Sequence, residues 1–276
     1  MTSAREWPEA ARSTPPSPRP TALVRPVSSS LVRCQLTHLS RAPIDLDLAR
    51  EQHGRYVEVL AGLGCVIERL PAAPGLPDAV FVEDAAVVFD EVAVEARPGA
   101  ASRRGETAAV AAALARWRPL ARIEAPGTLD GGDVLRVGRR VFVGRSRRTD
   151  RSGFDQLRAL LAPFGYRVEE VAVTGCLHLK SAATEVAEGT LLVARRWLDA
   201  APFAGLELID VDPAEPFAAN VLRVGEPVVL PEAFPLTRRR LEARGIAVRT
   251  VPASELAKAE GGVTCCSILV AGGVVR

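Results

Sequence analysis

The sequence predicts an α/β fold of five repeated strand–helix units set, propeller-like, around one central point. Three observations predict it. Five polar landmarks punctuate five strand-like segments: Asp84 in Phe-Val-Glu-Asp, Asp133 in Leu-Asp-Gly-Gly-Asp, His178 in Leu-His-Leu-Lys, Asn220 in Ala-Ala-Asn-Val-Leu, and Cys266. Their spacings are 49, 45, 42 and 46 residues, a period that points to a propeller or an array. The intervals also carry helical periodicity, which all-β blades lack. Polar residues recurring at equivalent strand ends would converge on one centre, as an active site requires.

Along the chain, residues 1–20 come first and differ in kind. Four prolines lie between Pro15 and Pro20, a density that no helix or central strand continues through. A disordered tail is expected there, followed by a single domain over 21–276. Ala49, His53, Tyr56, Leu60 and Leu63 then share one helical face. Glu83 and Asp84 precede the apolar run Ala85 to Phe89. Val110, Ala113, Leu114 and Trp117 give a second helix. Phe154, Leu157, Leu160, Leu161 and Phe164 give a third, with Gly165 as its stop. Leu236 to Arg244, ended by Gly245, is a fourth. Gly261-Gly262 finally delivers Cys265 and Cys266 at the head of a strand-like run, with no charged residue from Gly261 to Val275. Taken alone, that window reads as a buried strand whose cysteines are small hydrophobes.

Composition excludes several classes. The 276 residues are 48% hydrophobic and 25% charged, which suits a well-buried core. A net charge of +2 argues against a nucleic-acid partner bound through a basic patch. Five cysteines, whose only tight pair is adjacent, make no disulfide framework. No apolar run is long enough for a membrane span or a signal core. A cytoplasmic protein with reduced thiols is expected. Its assembly state is left open, a homodimer included.

The landmark residues suggest chemistry. His178 is the best acid/base candidate, because its repeat position faces that of Cys265, and a Cys–His pair is the minimum for nucleophilic catalysis. His53 reads as a packed, hydrogen-bonded core residue, and His38 is ambiguous. No Cys-x-x-Cys or His-x-x-x-His spacing supports zinc, and no metal or cofactor is called for. Carboxylates at Glu83, Asp84, Asp130 and Asp133 are costly to desolvate unless a cation matches them. Guanidinium, planar with fork-like donors, fits. Gly-Gly-Asp by itself would be an ordinary hairpin turn. Arg103-Arg104 and Arg147-Arg148 follow strands that carry acidic landmarks. A cation at a helix start opposes the macrodipole, and a substrate carboxylate would compensate it. Guanidinium at one end and carboxylate at the other describes arginine or a derivative.

Seven segments, in order, resemble the dimethylarginine dimethylaminohydrolase family: Leu76 to Asp84, Arg97 to Arg104, Thr128 to Asp133, Ser146 to Thr149, Leu177 to Lys180, Ala218 to Asn220 and Gly261 to Cys265. The resemblance implies the pentein α/β propeller, in agreement with the fivefold repeat. It implies Cys265 as nucleophile, His178 as acid/base, and Asp84 and Asp130 as carboxylates that grip guanidinium and orient the histidine. Asp78 and Glu83 would add pocket contacts, and Arg103 and Arg148 would clamp an α-carboxylate. Backbone carbonyls of Leu36 and Ala259 would meet an α-amino group. The loop Pro26 to Leu31 departs from the family pattern. The implied substrate is a methylated arginine, hydrolysed to citrulline through a covalent thiouronium. Arginine deiminases and amidinotransferases use the same chemistry but carry longer chains, and the former an inserted helical region that is not evident here. A non-catalytic propeller scaffold is the alternative from another class; it would not need thiol, imidazole and paired carboxylates together.

Overall fold

The computed structural model describes residues 19–272. Its strands are β1 (Thr21–Val24), β2 (Val66–Arg69), β3 (Ala86–Val88), β4 (Ala93–Glu95), β5 (Leu120–Arg122), β6 (Val134–Val137), β7 (Arg140–Arg145), β8 (Arg167–Ala172), β9 (Ala183–Ala187), β10 (Thr190–Val193), β11 (Glu207–Asp210), β12 (Leu222–Arg223), β13 (Val228–Pro231), β14 (Val248–Val251) and β15 (Ile268–Val270). They form five three-stranded sheets: β3-β4-β5, β6-β7-β8, β9-β10-β11, β12-β13-β14 and β15-β1-β2. In each sheet the first pair is antiparallel and the second parallel. The fifth sheet joins the two ends of the fold, with Leu23 opposite Ile268.

Sequence explains which strand lies where. The central strands β1, β10 and β13 are buried on both faces and read as unbroken apolar runs such as Leu191-Leu192-Val193. The outer parallel strands carry charges at the sheet edge, among them Glu68, Arg69, Arg122 and Glu207, which suits a solvated edge.

A parallel pair needs a crossover. Four crossovers are helical: α1 (Leu46–Gly62), α2 (Thr107–Leu114), α3 (Arg151–Leu161) and, beyond the short turn α4 (Leu179–Ala182), α5 (Pro235–Glu242). Asp45 caps α1 by accepting from the Asp47 and Leu48 N–H groups, and Asp150 caps α3 by accepting from Gly153 N–H. Gly165, at φ 74°, turns the chain beyond α3 as the sequence predicts. A last short helix, α6 (Ser254–Ala257), precedes the cysteine turn.

Two expectations are corrected. The fourth unit has no crossover helix; Val193 reaches Glu207 through 3₁₀ turns at Arg195–Trp197 and Ala201–Phe203. Pro202 and Gly205 leave too short an uninterrupted stretch for a helix nucleus. The landmarks also do not sit on strands. Asp84, Asp133, Cys265 and Cys266 lie in 3₁₀ turns, His178 opens α4, and Asn220 closes the turn Pro216–Ala219. Each turn immediately precedes the first strand of its sheet. Gly131-Gly132-Asp133 is therefore not a hairpin turn. The tail expected at 1–20 falls almost wholly outside the described residues.

Leu23 and Ile268 are buried in one apolar cluster at the junction of the chain's ends. Leu23→Ala should cost about 2–5 kcal/mol in urea unfolding. Paired with Ile268→Ala, it should show a non-additive loss. Strict additivity would mean that the first and last strands do not stabilise each other.

Candidate active site

The turns ahead of β3, β6, β9 and β15 meet at close range. Gly132 can approach only because it has no side chain: a Cβ there would lie 2.6 Å from His178 Nδ1 and 2.7 Å from Asp84 Oδ1. Gly262 is equally constrained, since its Cβ would lie 2.3 Å from Asn220 Oδ1. Each Gly-Gly pair thus marks a place where backbone passes against a polar side chain of another unit.

His178 is the hub. Its Nε2 is 3.0 Å from Asp130 Oδ2, and its Nδ1 is 3.7 Å from Asp84 Oδ1. Burial alone would discharge the imidazole, but Asp84, Asp133 and Asp130 more than offset it and push its pKa up to about 9. Asp84 is buried too, yet the charges of His178 and Arg103 and the Gly132 N–H hold its carboxyl well below the usual range. Asp133 accepts from the Ser146 and Thr149 hydroxyls and from the Leu179 N–H, at 2.6, 2.7 and 3.0 Å. It therefore ties the loop bearing Arg148 to the turn bearing His178. Burial raises its carboxyl to about 6 despite these donors.

Cys265 is held from behind. Gly262 N–H donates to its Sγ at 3.3 Å. Thr264 donates to Glu83 Oε2 at 2.6 Å, and Lys180 Nζ lies 2.5 Å from Glu83 Oε1. Asn220 receives the Thr264 N–H at 3.1 Å and donates back to Thr264 Oγ1 at 2.9 Å. Burial, followed by the negative charges of Glu83 and Asp84, pushes the Cys265 thiol up to about 12. The site thus combines a protonated thiol with a charged imidazole.

Cys265 and His178 line one cavity with Asp78, Asp84, Arg148 and Ala259. The cavity is narrow: the space open to a water-sized sphere is about 10 Å³, room for roughly one water. Asp78 is buried, and desolvation raises its carboxyl more than Arg103 and the Gln35 N–H can offset. Arg148 is buried as well. Its Nη2 donates to Thr37 Oγ1 at 2.9 Å, its Nη1 stands 3.7 Å from Asp130, and that Nη1 has no hydrogen-bond partner. Arg148 lines the cavity, and with one side-chain hydrogen bond and one long ion pair its guanidinium can still take up an anion.

Asp84, Asp130 and His178 offer ligand atoms within 4.8 Å of one another, close enough for a metal ion. Those atoms already face Arg103, Gly132 and each other, so the trio reads as an ion-pair network. No family model matches the chain. Relatives do. The N(G),N(G)-dimethylarginine dimethylaminohydrolase of Streptomyces coelicolor is 42% identical over 257 residues, covering 91% of this chain and 97% of that protein. The chain belongs to the dimethylarginine dimethylaminohydrolase family. The Pseudomonas aeruginosa member is 36% identical over 234 residues, covering 84% of this chain and 91% of its own. A crystallised P. aeruginosa member, a cysteine-to-serine variant complexed with citrulline, superposes with a TM-score of 0.86 at 34% identity, covering 91% and 98% of the two chains. The fold is the pentein α/β propeller of that family.

Against the residues that the family resemblance implies, the structure differs at three points. Arg103 borders the cavity, but its guanidinium is engaged by Asp84 at 2.5 Å, Glu106 at 2.8 Å and the Phe81 carbonyl at 3.1 Å. A group so committed belongs to the frame of the site, which leaves Arg148 as the arginine with an open donor. Leu36, expected to offer its backbone carbonyl, does not line the cavity, whereas its neighbour Gln35 does. Glu83 and Asp130 stand behind Cys265 and His178 and do not line the cavity. Of the other histidines, His38 is exposed, while His53 is buried, with its Nε2 unpartnered rather than hydrogen-bonded. Sequence reasoning missed Glu106, Thr264 and Lys180 and gave Asn220 and Asp133 no role. Glu106 had a readable signal, an acid three residues after Arg103.

Arg103→Ala leaves Asp84 and Glu106 buried without their cation and should cost about 3–5 kcal/mol of stability. Arg148→Ala should cost distinctly less in the same denaturation series. Equal losses would remove the distinction between frame and open donor.

Stability should also carry the mark of His178. Its folded pKa is raised from 6.5 to about 9, so the contribution is full below about 6.5 and is lost as pH rises through about 9. The urea midpoint should fall across that window and flatten in His178→Asn. An unchanged slope in the variant would contradict the charged imidazole.

Proposed function

We propose that this chain hydrolyses Nω-methylated arginines, asymmetric dimethylarginine and monomethylarginine, to citrulline and the methylated amine. One observation carries the reading: thiol, imidazole and buried carboxylates share a cavity with an arginine that keeps an open donor. Family membership supports it, as do the relatives' complexes with citrulline and, for a histidine-to-glycine variant, S-methyl-L-thiocitrulline. Seven carboxylates around the site (Asp78, Glu83, Asp84, Glu106, Asp130, Asp133 and Glu260) face four cations (Arg103, Arg148, His178 and Lys180). That formal excess of negative charge suits a ligand with one more positive than negative group.

The substrate carboxylate meets Arg148, its ammonium meets Asp78 and the Ala259 carbonyl, and its guanidinium lies against Asp84. The arriving cation lowers the cost of ionising Cys265, whose thiol proton leaves to solvent. The thiolate attacks the guanidinium carbon, and the C–N bond to the methylated nitrogen breaks as cationic His178 protonates the departing amine. A covalent S-alkylthiouronium remains. Neutral His178 then takes a proton from water, the hydroxide adds to the same carbon, and the C–S bond breaks to release citrulline. The proton left over returns to the sulfur. Asp130 and Asp84 hold the imidazole through both transfers.

The reading assigns nucleophile and bystander to adjacent cysteines. Cys266 packs in the apolar core, with its Sγ directed at the Gly262 carbonyl. Cys265→Ser should abolish release of citrulline from dimethylarginine, while Cys266→Ser keeps most of it. In His178→Gly, mass spectrometry should find a persistent adduct on Cys265 with an activated substrate. An adduct on Cys266, or turnover by Cys265→Ser, would sink the assignment.

A further inference from the structure

We propose that Glu260 is a positioning residue that latches residues 35–39 over the cavity and couples that loop to the Cys265 turn. The inference rests on the proposed reading of the site. Glu260 lines the cavity with Ala259 before it and Gly261 after it, and leads through Gly262 to Cys265. It is the only non-glycine residue with positive φ, 59°, among the described residues. That conformation is costly for a residue with a Cβ, so a compensating interaction is expected. One is present across more than 200 positions of sequence. The Glu260 carboxylate accepts three consecutive backbone N–H groups, from Thr37 at 3.0 Å, His38 at 2.5 Å and Leu39 at 2.6 Å. Successive amides curled around one anion form an anion nest.

Little else holds this loop. Gln35, His38, Leu39 and Ser40 are exposed, and Leu36 alone packs against the core. Its base is fixed by Arg41, which donates to the Val32 and Cys34 carbonyls, both at 2.7 Å. The other two polar anchors come from cavity residues: Asp78 accepts the Gln35 N–H at 3.1 Å, and Arg148 donates to Thr37 Oγ1. Both are assigned to the substrate's amino and carboxylate groups. Glu260 is thus the anchor that stays on the loop whichever way those two residues are shared. Through Gly261 and Gly262, the same residue sets the backbone that presents the thiol.

The test compares the full chain with Glu260→Gln, nearly isosteric, and Glu260→Gly, which removes the carboxylate but accepts the positive φ. Hydrogen exchange without substrate should show amides 37–39 opening roughly tenfold faster or more in both, the size expected for losing bonds to a charged acceptor. The KM for monomethylarginine should rise by a similar factor while kcat stays within about threefold. Glu260→Asp should recover part of each. Unchanged exchange at 37–39, a loss confined to kcat, or failure of both variants to fold would overturn the latch. Faster exchange in a chain with no activity toward methylarginine would keep the latch and sink only the proposed substrate.

Discussion

The ion pair between Arg103 and Asp84, extended to Glu106 on one side and His178 on the other, is the constraint on which the remaining geometry depends. All four groups are buried. None could hold a charge there alone, because desolvating an isolated ion costs several kcal/mol or more. Together they fix where two carboxylates and an imidazole stand before any ligand arrives. Asp84 cannot turn away without stranding Arg103. His178 cannot turn away from Asp130 and Asp84 without losing the charges that keep it protonated. Such an arrangement is poor evidence for stability but good evidence for preorganisation, in which polar groups already point at the place where charge develops.

The fold makes this arrangement possible by repetition. Each sheet starts just after a short turn that carries one polar residue, and five such turns draw side chains from distant parts of the chain into contact. Asp84 and His178 are nearly a hundred positions apart, and Glu83 meets Thr264 across 181. Apolar central strands hold the turns in register, while β15 on β1 ties the last unit to the first. Function therefore sits on turns braced by a rigid scaffold, which is where fine positioning and local mobility can coexist.

Much of the architecture was legible in the sequence because polar residues at regular intervals inside apolar runs are costly unless they meet. The helices with clear 3.6-residue periodicity, over Ala49 to Leu63 and Phe154 to Phe164, fall close to where the pattern puts them. Three-residue turns have no period to read, so the landmarks were expected on strand ends rather than on the turns ahead of them. The absence of a helix from the fourth crossover follows from Pro202 and Gly205, visible but easily outweighed by the expectation of a repeat. The exchange of Arg103 from open donor to buried frame reflects a tertiary choice between partners, which spacing alone does not decide. Contacts such as Glu260 with Thr37 to Leu39 are carried by backbone amides and leave no side-chain signature at the receiving end.

The central claim is electrostatic: in the empty site Cys265 is a thiol while His178 is charged, and a cationic ligand is what makes the thiolate. Thiolate absorbance near 240 nm, taken as the difference between the unaltered chain and Cys265→Ser across pH, measures it directly. With no ligand, the account predicts no Cys265 thiolate until pH rises well above the ordinary cysteine range, toward about 12. With an unreactive ligand carrying both an amidinium and a carboxylate, thiolate should appear near neutral pH. A thiolate already present at pH 7 in the empty site, unchanged by the ligand, would contradict the account.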